Sequence, residues 1–282
     1  MPELPEVEVL VRYLSRILPG RQIAGVHVGR ERSLRPNKTG DFVDGLRDLE
    51  FVSIERRAKY LVFKLKGPRG DRTLLGHLGM TGRMYVQDKG EPTPKHTVVS
   101  LELDRGRFVF EDTRYFGRIS FDLSALDRLG PEPLSEDFIA ASFWRGLKRS
   151  RQAVKVRLLA SDLVVGVGNI YASEALFRAG IDPRLACNRI TQRQAIRLHG
   201  AIREVLGEAI ELGSTLPLDW AGKDDQDGLF YFGRKKGQDN YEERLLVYGR
   251  EGEACSCCSA VIQRVVQAAR STFFCPACQR RR

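Results

Sequence analysis

The sequence predicts an α+β protein: an antiparallel β-sandwich, then a helical part, and finally a metal-held β-hairpin. Three observations support this prediction. One amphipathic helix and a series of short β-prone runs occupy the first 130 residues, helical periodicity follows, and two C-x-x-C pairs lie near the C-terminus. Short strands bounded by turn residues are typical of an antiparallel sandwich. A chain of 282 residues is long enough for two cores and a small appendage.

The first domain is expected over residues 1–130 and begins with a helix. Apolar residues recur at the spacing of one helical face from Pro5 to Leu18, and Pro19-Gly20 ends the pattern. Seven β-prone runs follow, at residues 22–28, 51–54, 60–65, 73–77, 83–86, 97–103 and 107–111. Asp104-Arg105-Gly106 is typical of a hairpin turn between the last two runs. We therefore expect the first helix to pack on an antiparallel sandwich.

A helical domain is predicted over residues 131–240, after the Gly130-Pro131 segment that marks the boundary. The segment from Thr191 to Gln194 has the form of a capping box, and the helix that it opens extends to Gly213. Residues 221–240 are polar and glycine-rich, so we expect a mobile loop there.

The last domain, residues 241–282, is predicted to be held by one structural zinc ion. The candidate ligands are four cysteines, Cys255, Cys258, Cys275 and Cys278. The segment between the two pairs is β-prone, and so short a hairpin has too little core to fold well without a staple. Four thiolates leave zinc no open coordination position, which excludes a catalytic role. A redox or disulfide pair is the alternative, and Cys257 could replace a neighbouring ligand.

The composition favours a polyanionic partner. The formal net charge is +10, the sequence pI is about 9.5, and the excess does not come from one terminal tail. A nucleic acid is the expected partner, although ribosomal, membrane-surface and simply soluble basic proteins share such an excess. The sequence has no run of 18 apolar residues and no secretory signal pattern, so we expect a soluble, cytosolic protein without membrane contact.

The amino terminus is a candidate nucleophile. Removal of Met1 would leave the secondary amine of Pro2, and a larger share of an α-amino group than of a lysine is unprotonated at neutral pH. Such an amine can attack a sugar carbon, and the resulting iminium acts as an electron sink for elimination. Glu3 could protonate the sugar ring oxygen, and Glu6 lies in the first helical turn. Taken alone, a Met-Pro start and an acidic first turn are more often structural features.

Three motifs in this order resemble the formamidopyrimidine-DNA glycosylase family: the segment from Met1 to Glu8, the segment from Val165 to Glu174, and the four-cysteine finger. The resemblance spans nearly the whole chain. It implies a β-sandwich flanked by helices, followed by a helix-two-turn-helix domain that ends in a zinc finger. It also implies a bacterial-type base excision repair enzyme that flips an oxidised purine out of the duplex. Release of the base through a Schiff base on Pro2 and cleavage of the abasic strand by β,δ-elimination would follow.

The resemblance implies a catalytic set, which consists of Pro2, Glu3, Glu6, Lys59 and Arg270. Lys59, in a segment that resembles the family's catalytic lysine strand, would donate a proton or hold a phosphate during β-elimination. Arg270 would grip the phosphates beside the lesion and assist δ-elimination. Read alone, an arginine on a zinc hairpin is as readily a solvated charge as a phosphate contact.

The resemblance also implies a DNA-binding set, which consists of His77, Met80, His96, Arg114, Phe116, Arg151, Lys155 and Asn169. Met80, in the loop that begins at His77, would enter the space left by the flipped base. Arg114 would address the orphaned base and Phe116 would wedge the stack. Read alone, Met80 and Phe116 are more typical of a core.

Four members of this set would serve the DNA backbone or the lesion. His96 and Arg151 would contact phosphates, and Asn169 would start a helix whose amides can bind phosphate. Lys155, placed on the same helix as Arg151, would face the lesion.

Two other functions remain open. An endonuclease VIII-like glycosylase would also use Pro2 but act on oxidised pyrimidines; Leu4, where that branch commonly has glycine, favours purine lesions. A DNA-binding zinc-finger protein without chemistry is the second alternative, and retention of Met1 would favour it. We expect a monomer that works on damaged or abasic double-stranded DNA in the bacterial cytoplasm, at the nucleoid.

Overall fold

The computed structural model describes residues 2–214 and 245–280. They divide into two compact units, residues 2–128 and residues 129–212 with 245–280. The predicted α+β class is confirmed, whereas the expected mobile loop over residues 221–240 lies outside the described residues. Each helix in the described part of the chain is too short or too polar to cross a bilayer. The division into three domains stays a prediction.

Two four-stranded antiparallel sheets form the first unit, in the orders β1-β6-β7-β5 and β2-β3-β4-β8. The strands are β1 (Ile23–Val28), β2 (Glu50–Arg57), β3 (Tyr60–Lys66), β4 (Arg72–His77), β5 (Gly82–Gln87), β6 (Thr97–Leu103), β7 (Arg107–Asp112) and β8 (Arg118–Ser120). Helices α1 (Leu4–Ile17) and α2 (Thr39–Leu46) accompany them. The predicted sandwich strands are thus present.

Aromatic side chains fill the space between the two sheets. The ring centroid of Phe63 in β3 lies 5.8 Å from that of Phe108 in β7, and Phe51 in β2 lies 6.0 Å from Phe63. All three side chains are fully buried. Because Phe108 belongs to one sheet and the other two rings to the second, these contacts show that the sheets pack face to face. Helix α1 packs against β2 through its buried apolar face.

One α-helix and one strand of the first unit were not predicted. Helix α2 is eight residues long and contains two glycines, but it buries Phe42 and Leu46, one turn apart. Strand β8 has only three residues and pairs with β4. Both are too short to show a periodic pattern, so tertiary packing rather than local propensity defines them.

The second unit contains four helices and a hairpin among its described residues. They are α3 (Ala140–Lys148), α4 (Val154–Leu158), α5 (Asn169–Arg178), α6 (Gln192–Ser214), β9 (Gln263–Gln267) and β10 (Arg270–Phe274). The predicted capping box before α6 is confirmed. Thr191 N–H donates to Gln194 Oε1 at 2.9 Å, and Gln194 N–H donates to Thr191 Oγ1 at 3.2 Å.

A buried carboxylate fixes the chain where it enters the finger. Glu174 in α5 is 3% exposed, and its two oxygens accept the backbone N–H groups of residues 246, 247 and 248 at 2.8–3.0 Å. Phe177, one turn further along α5, packs with Val247, Ile262 and Phe273. These contacts bind the finger to α5 by both polar and apolar interactions.

Candidate active site and nucleic-acid interface

The backbone beside the proposed nucleophile is held rigidly. Pro2 is buried and directly precedes Glu3, the N-cap residue of α1. The Glu3 N–H donates to Glu6 Oε2 at 2.7 Å, and the two residues form a reciprocal capping box. Glu3 and Glu6 are 1% and 4% exposed. The Glu6 carboxylate therefore fixes the backbone that carries Pro2 and Glu3.

Lys59 lies in a turn and not in a strand, which corrects the sequence-based expectation. Arg57 in β2 pairs with Tyr60 in β3, so Ala58 and Lys59 form the two-residue turn between these strands. Ala58 adopts a φ of 55°, the left-handed conformation that such turns require. The turn places Lys59 at the end of a hairpin, where a long cation can reach away from the sheet.

An ion pair with α1 anchors this turn. Arg56 donates to Glu8 Oε2 through Nε at 2.8 Å and to the Ala58 carbonyl at 3.1 Å. Burial raises the pKa of Glu8, but the hydrogen bonds and charges of Arg56 and Arg12 outweigh burial and leave that pKa below its usual value. Because Glu8 belongs to the helix that begins beside Pro2, the Lys59 turn and the N-terminus share one rigid support.

His77 is a neutral acceptor at the end of β4. Its Nδ1 accepts the Gly79 N–H at 3.1 Å, and its ring lies 4.9 Å from that of Tyr60. Burial, together with the nearby charges of Lys59 and Arg118, lowers the pKa of His77 to about 4. At neutral pH the proton of the ring therefore resides on Nε2, and Nδ1 fixes the loop that leads to Met80.

The proposed wedge residues are exposed, which removes the alternative of a core role. Met80 is 37% exposed and Phe116 is 53% exposed. The Arg114 guanidinium carbon lies 5.2 Å from the centroid of the Phe116 ring. A polar side chain that can read a base is thus held beside an apolar one that can unstack it.

A buried carboxylate that sequence reasoning missed holds the two loops together. Asp112 is fully buried. Its carboxylate accepts hydrogen bonds from the Thr81 hydroxyl at 2.5 Å, the Arg114 N–H at 3.1 Å and the Gly117 N–H at 2.7 Å. Thr81 directly follows Met80. The carboxylate therefore fixes the loop with Met80 relative to the loop with Arg114, and an acid directly before Thr-Arg was the available sequence signal.

The same two loops approach each other without room for side chains. Gly79 has a φ of +66°, and a Cβ on this residue would lie 2.6 Å from the Gly117 nitrogen. Glycine is required there because any other residue would push the loops apart. His96 lies beside this region, where its carbonyl accepts the Asp112 N–H at 3.0 Å.

Lys155 and Asn169 converge on one carbonyl of the finger hairpin. The Lys155 ammonium donates to Ser271 O at 3.0 Å and to Thr272 Oγ1 at 2.9 Å, and Asn169 Nδ2 donates to Ser271 O at 3.0 Å. Ser271 directly follows Arg270. The two side chains therefore hold the strand that presents Arg270, which is itself exposed.

The structure corrects the expected placement of Lys155. Helix α3 ends at Lys148 and α4 begins at Val154, so the exposed Arg151 lies between helices and does not share one with Lys155. Lys155 is 1% exposed, and its ammonium lies against the hairpin. A direct contact with a lesion, like the contact of Arg151 with phosphate, stays a prediction.

The turn of the hairpin carries backbone strain. Ala268 and Ala269 join β9 to β10, and both adopt positive φ values of 48° and 59°. A two-residue turn of this kind normally contains asparagine or glycine, because a Cβ is unfavourable in the left-handed region. The strain lies directly before Arg270.

The predicted zinc ligands form one cluster. The four Sγ atoms, of Cys255, Cys258, Cys275 and Cys278, lie within 4.8 Å of one another. Three of the Sγ···Sγ distances are 3.4, 3.4 and 3.9 Å. Four sulfurs placed tetrahedrally at about 2.3 Å from zinc would be about 3.8 Å apart. The cluster therefore fits one structural zinc ion, and Cys257 lies outside it.

The sixth cysteine has no part in this cluster. Cys187 is buried, and burial raises its pKa to about 11, so its thiol stays protonated at neutral pH. It serves as a small apolar residue of the core.

Three family models match successive parts of the chain. They are described as the formamidopyrimidine-DNA glycosylase N-terminal domain at residues 1–119, the formamidopyrimidine-DNA glycosylase H2TH domain at residues 129–217, and the zinc finger found in FPG and IleRS at residues 252–281.

Curated relatives match over the whole length. Proteins named formamidopyrimidine-DNA glycosylase from Thioalkalivibrio sulfidiphilus and Desulfitobacterium hafniense are 42% and 40% identical to this chain. Each match covers 99% of this chain and all of the relative.

Solved structures agree with these matches. The Lactococcus lactis Fpg in complex with abasic-site DNA has a TM-score of 0.86, and its complex with N7-benzyl-Fapy-dG DNA has a TM-score of 0.87. Both are 32% identical and cover 99% of this chain and all of the other. The fold, the four-cysteine cluster and these matches define a helix-two-turn-helix DNA repair protein with a zinc finger. The chain belongs to the formamidopyrimidine-DNA glycosylase family.

Proposed function

We propose that the protein is a bifunctional DNA glycosylase and abasic-site lyase that removes oxidised purines in base excision repair. The observation that carries this proposal is the exposed set of Met80, Arg114 and Phe116, held by the buried Asp112. Exposed apolar side chains beside a guanidinium suit a protein that takes a base out of the stack and reads its partner. The names of the full-length relatives support a formamidopyrimidine as one substrate.

The proposed chemistry begins at Pro2. Its neutral amine attacks C1′ of the extruded nucleotide, the new C–N bond forms as the bond to the damaged base breaks, and the base leaves. Glu3 protonates the ring oxygen, the sugar opens, and the proline nitrogen loses its proton to become an iminium. The iminium then accepts the electron pair of the C2′–H bond as that proton is lost, and the enamine so formed expels the 3′ phosphate in the β step. Loss of the C4′ proton into the conjugated iminium expels the 5′ phosphate in the δ step, and Lys59 and Arg270 assist these steps.

Other residues act through these groups. We assign Glu6 as a positioning residue because it fixes the backbone between Pro2 and Glu3. Lys155 and Asn169 position the strand that carries Arg270. The exposed Arg151 contacts backbone phosphates, and His77 shapes the loop of Met80. The site of action is chromosomal DNA, at the nucleoid.

Borohydride reduction tests the proposal. The protein is incubated with duplexes that contain either 8-oxoguanine or an abasic site, and the iminium is reduced to a stable cross-link. We expect a cross-link that mass spectrometry places on Pro2, and none when the N-terminus is blocked. Lesion removal without a Pro2 cross-link would refute the proposed chemistry.

A substrate comparison tests the lesion class. One solved Lactococcus lactis Fpg complex contains an oxidised pyrimidine, so a duplex with thymine glycol is the matched competitor. We expect faster excision of 8-oxoguanine than of thymine glycol. A preference for thymine glycol would support the endonuclease VIII-like alternative, and binding without excision of either would support a non-catalytic protein.

A further inference from the structure

Tyr115 lies between Arg114 and Phe116 in a strained conformation. Its φ of 55° is in the left-handed region, where a bulky side chain is unfavourable. Such strain persists only where the surroundings hold the residue, and it is concentrated at functional sites. The contacts of the Tyr115 side chain therefore show what this conformation supports.

Two basic side chains contact Tyr115. The Tyr115 hydroxyl lies 3.1 Å from His96 Nδ1, and the two rings meet edge to face at 5.9 Å. The Arg30 guanidinium lies 4.6 Å from the centroid of the Tyr115 ring. The Arg30 backbone is itself fixed, since its N–H donates to Val98 O at 3.1 Å. One aromatic ring therefore orients both an arginine and a histidine.

The arrangement leaves the donors of both groups available. Tyr115 occupies Nδ1 of His96, so Nε2 is left for a ligand; when the Tyr115 hydroxyl donates to Nδ1, the proton of the ring is on Nε2 and can be donated to a phosphate. The Arg30 side chain is exposed, and a guanidinium that lies over an aromatic ring keeps its N–H groups for an acceptor such as phosphate. Two donors held by one ring beside the wedge residues suit consecutive positions of a DNA backbone.

We propose that Arg30 is a phosphate-binding residue, and that Tyr115 is the positioning residue that presents Arg30 and His96 to the same stretch of DNA backbone. This inference rests on the proposed function and extends it. Because Tyr115 is joined to Arg114 and Phe116, phosphate binding at Arg30 and His96 also holds the loop in the conformation that reads the orphaned base.

The salt dependence of binding tests the role of Arg30. The probe is a duplex with a tetrahydrofuran abasic-site analogue, and its Kd is measured for the full chain at several salt concentrations. Loss of one phosphate contact in Arg30→Ala should reduce the slope of log K against log salt by about 0.9 and weaken binding about three- to tenfold. An unchanged slope would overturn the assignment of Arg30.

Arg105→Ala is the matched control. Arg105 is also exposed but lies in the turn at the opposite end of the β6–β7 hairpin. The whole length of β6 separates it from His96, a distance of about 20 Å. We expect its slope to equal that of the unchanged protein. An equal reduction in both variants would attribute the effect to net charge and overturn the proposal.

Two substitutions test Tyr115. Tyr115→Phe keeps the ring beneath Arg30 but removes the hydroxyl, so it should weaken binding as His96→Ala does, with no further loss in the double variant. Tyr115→Asn relieves the backbone strain, since asparagine accepts the left-handed region, yet it should lose both contacts. A Tyr115→Asn protein with an unchanged melting temperature but several-fold weaker DNA binding would support the positioning role of Tyr115. If both the DNA affinity and the opposite-base discrimination were unchanged, that role would be refuted.

Excision of 8-oxoguanine by the unchanged protein separates this inference from the proposed function. If the unchanged protein excises 8-oxoguanine but Arg30→Ala has an unaltered salt slope, only the inference about Arg30 is refuted. A reduced slope without excision would refute the enzymatic function and keep Arg30 as a phosphate contact.

Discussion

At the scale of single residues, the site depends on buried polar groups that face inward. Asp112 accepts three hydrogen bonds and fixes two loops, whereas Met80, Arg114 and Phe116 are exposed. The exposed residues could be predicted because the family resemblance assigns them to DNA. The position of Asp112 before Thr-Arg was a sequence signal for an acid in this loop, but its role as a link between two loops was not, because its partner Thr81 is 31 residues away in the sequence.

His77 makes the stability of the first unit depend on pH. Its folded-state pKa is lowered to about 4, below that of an unfolded histidine, so protonation favours the unfolded state. The stabilisation is complete above about pH 6.5 and is lost as the pH falls towards 4. We expect the free energy of unfolding to decrease by about 2 kcal/mol between pH 7 and pH 5 through this group.

Urea unfolding at the two pH values, with NMR of the imidazole nuclei, checks this prediction. His77→Gln should show a smaller decrease in the free energy of unfolding, whereas His27→Gln, at an exposed position in β1, should behave as the unchanged protein does. An imidazolium signal from His77 at pH 6 would contradict the prediction.

At the scale of secondary structure elements, the hairpins show what sequence patterns can and cannot predict. The β6–β7 hairpin was predicted from Asp104-Arg105-Gly106, whose turn chemistry is explicit. The β9–β10 turn contains Ala268 and Ala269 instead, and neither residue signals a left-handed conformation. Hydrogen bonds with the helical part, together with the four-cysteine cluster, hold that hairpin in place.

Ala269→Gly should therefore stabilise the finger. Glycine adopts a positive φ without steric cost, and the relief should amount to about 1 kcal/mol. Hydrogen exchange of the β9–β10 amides measures the change. Ala254→Gly is the matched control, because Ala254 is an exposed alanine of the finger without a positive φ. This substitution should make the finger less stable. Faster exchange in Ala269→Gly would show that the turn is not strained.

At the scale of the whole molecule, the chain is built as two units that contain different parts of the function. Periodic patterns of apolar residues predicted the sandwich and the helical part. The spacing of the four cysteines predicted the metal module. The contacts of Lys155 escaped prediction for a physical reason. Its partners, Ser271 and Thr272, are more than 110 residues away, and no local pattern distinguishes a buried lysine from an exposed one.

Removal of zinc should destabilise the finger without lowering the stability of the first unit. The core of the finger is small and is completed by Phe177 of α5, so chelation should unfold the finger and lower DNA affinity while the first unit stays folded. Thermal melting in the presence of a chelator should show an unchanged main transition, and the Kd for the abasic-site analogue should rise at least tenfold. One cooperative transition in which both units melt together would contradict this prediction.

The convergence of Lys155 and Asn169 on Ser271 O has a consequence for strand register. A shift of the β9–β10 pairing by one residue would turn every side chain of β10, including that of Arg270, to the opposite face of the hairpin. Such a slip would also move the Ser271 carbonyl out of reach of Lys155 and Asn169, so both hydrogen bonds would be lost. Two polar side chains from the helical part thus fix which face of β10 carries the exposed Arg270 side chain, because both donate to one partly buried carbonyl oxygen.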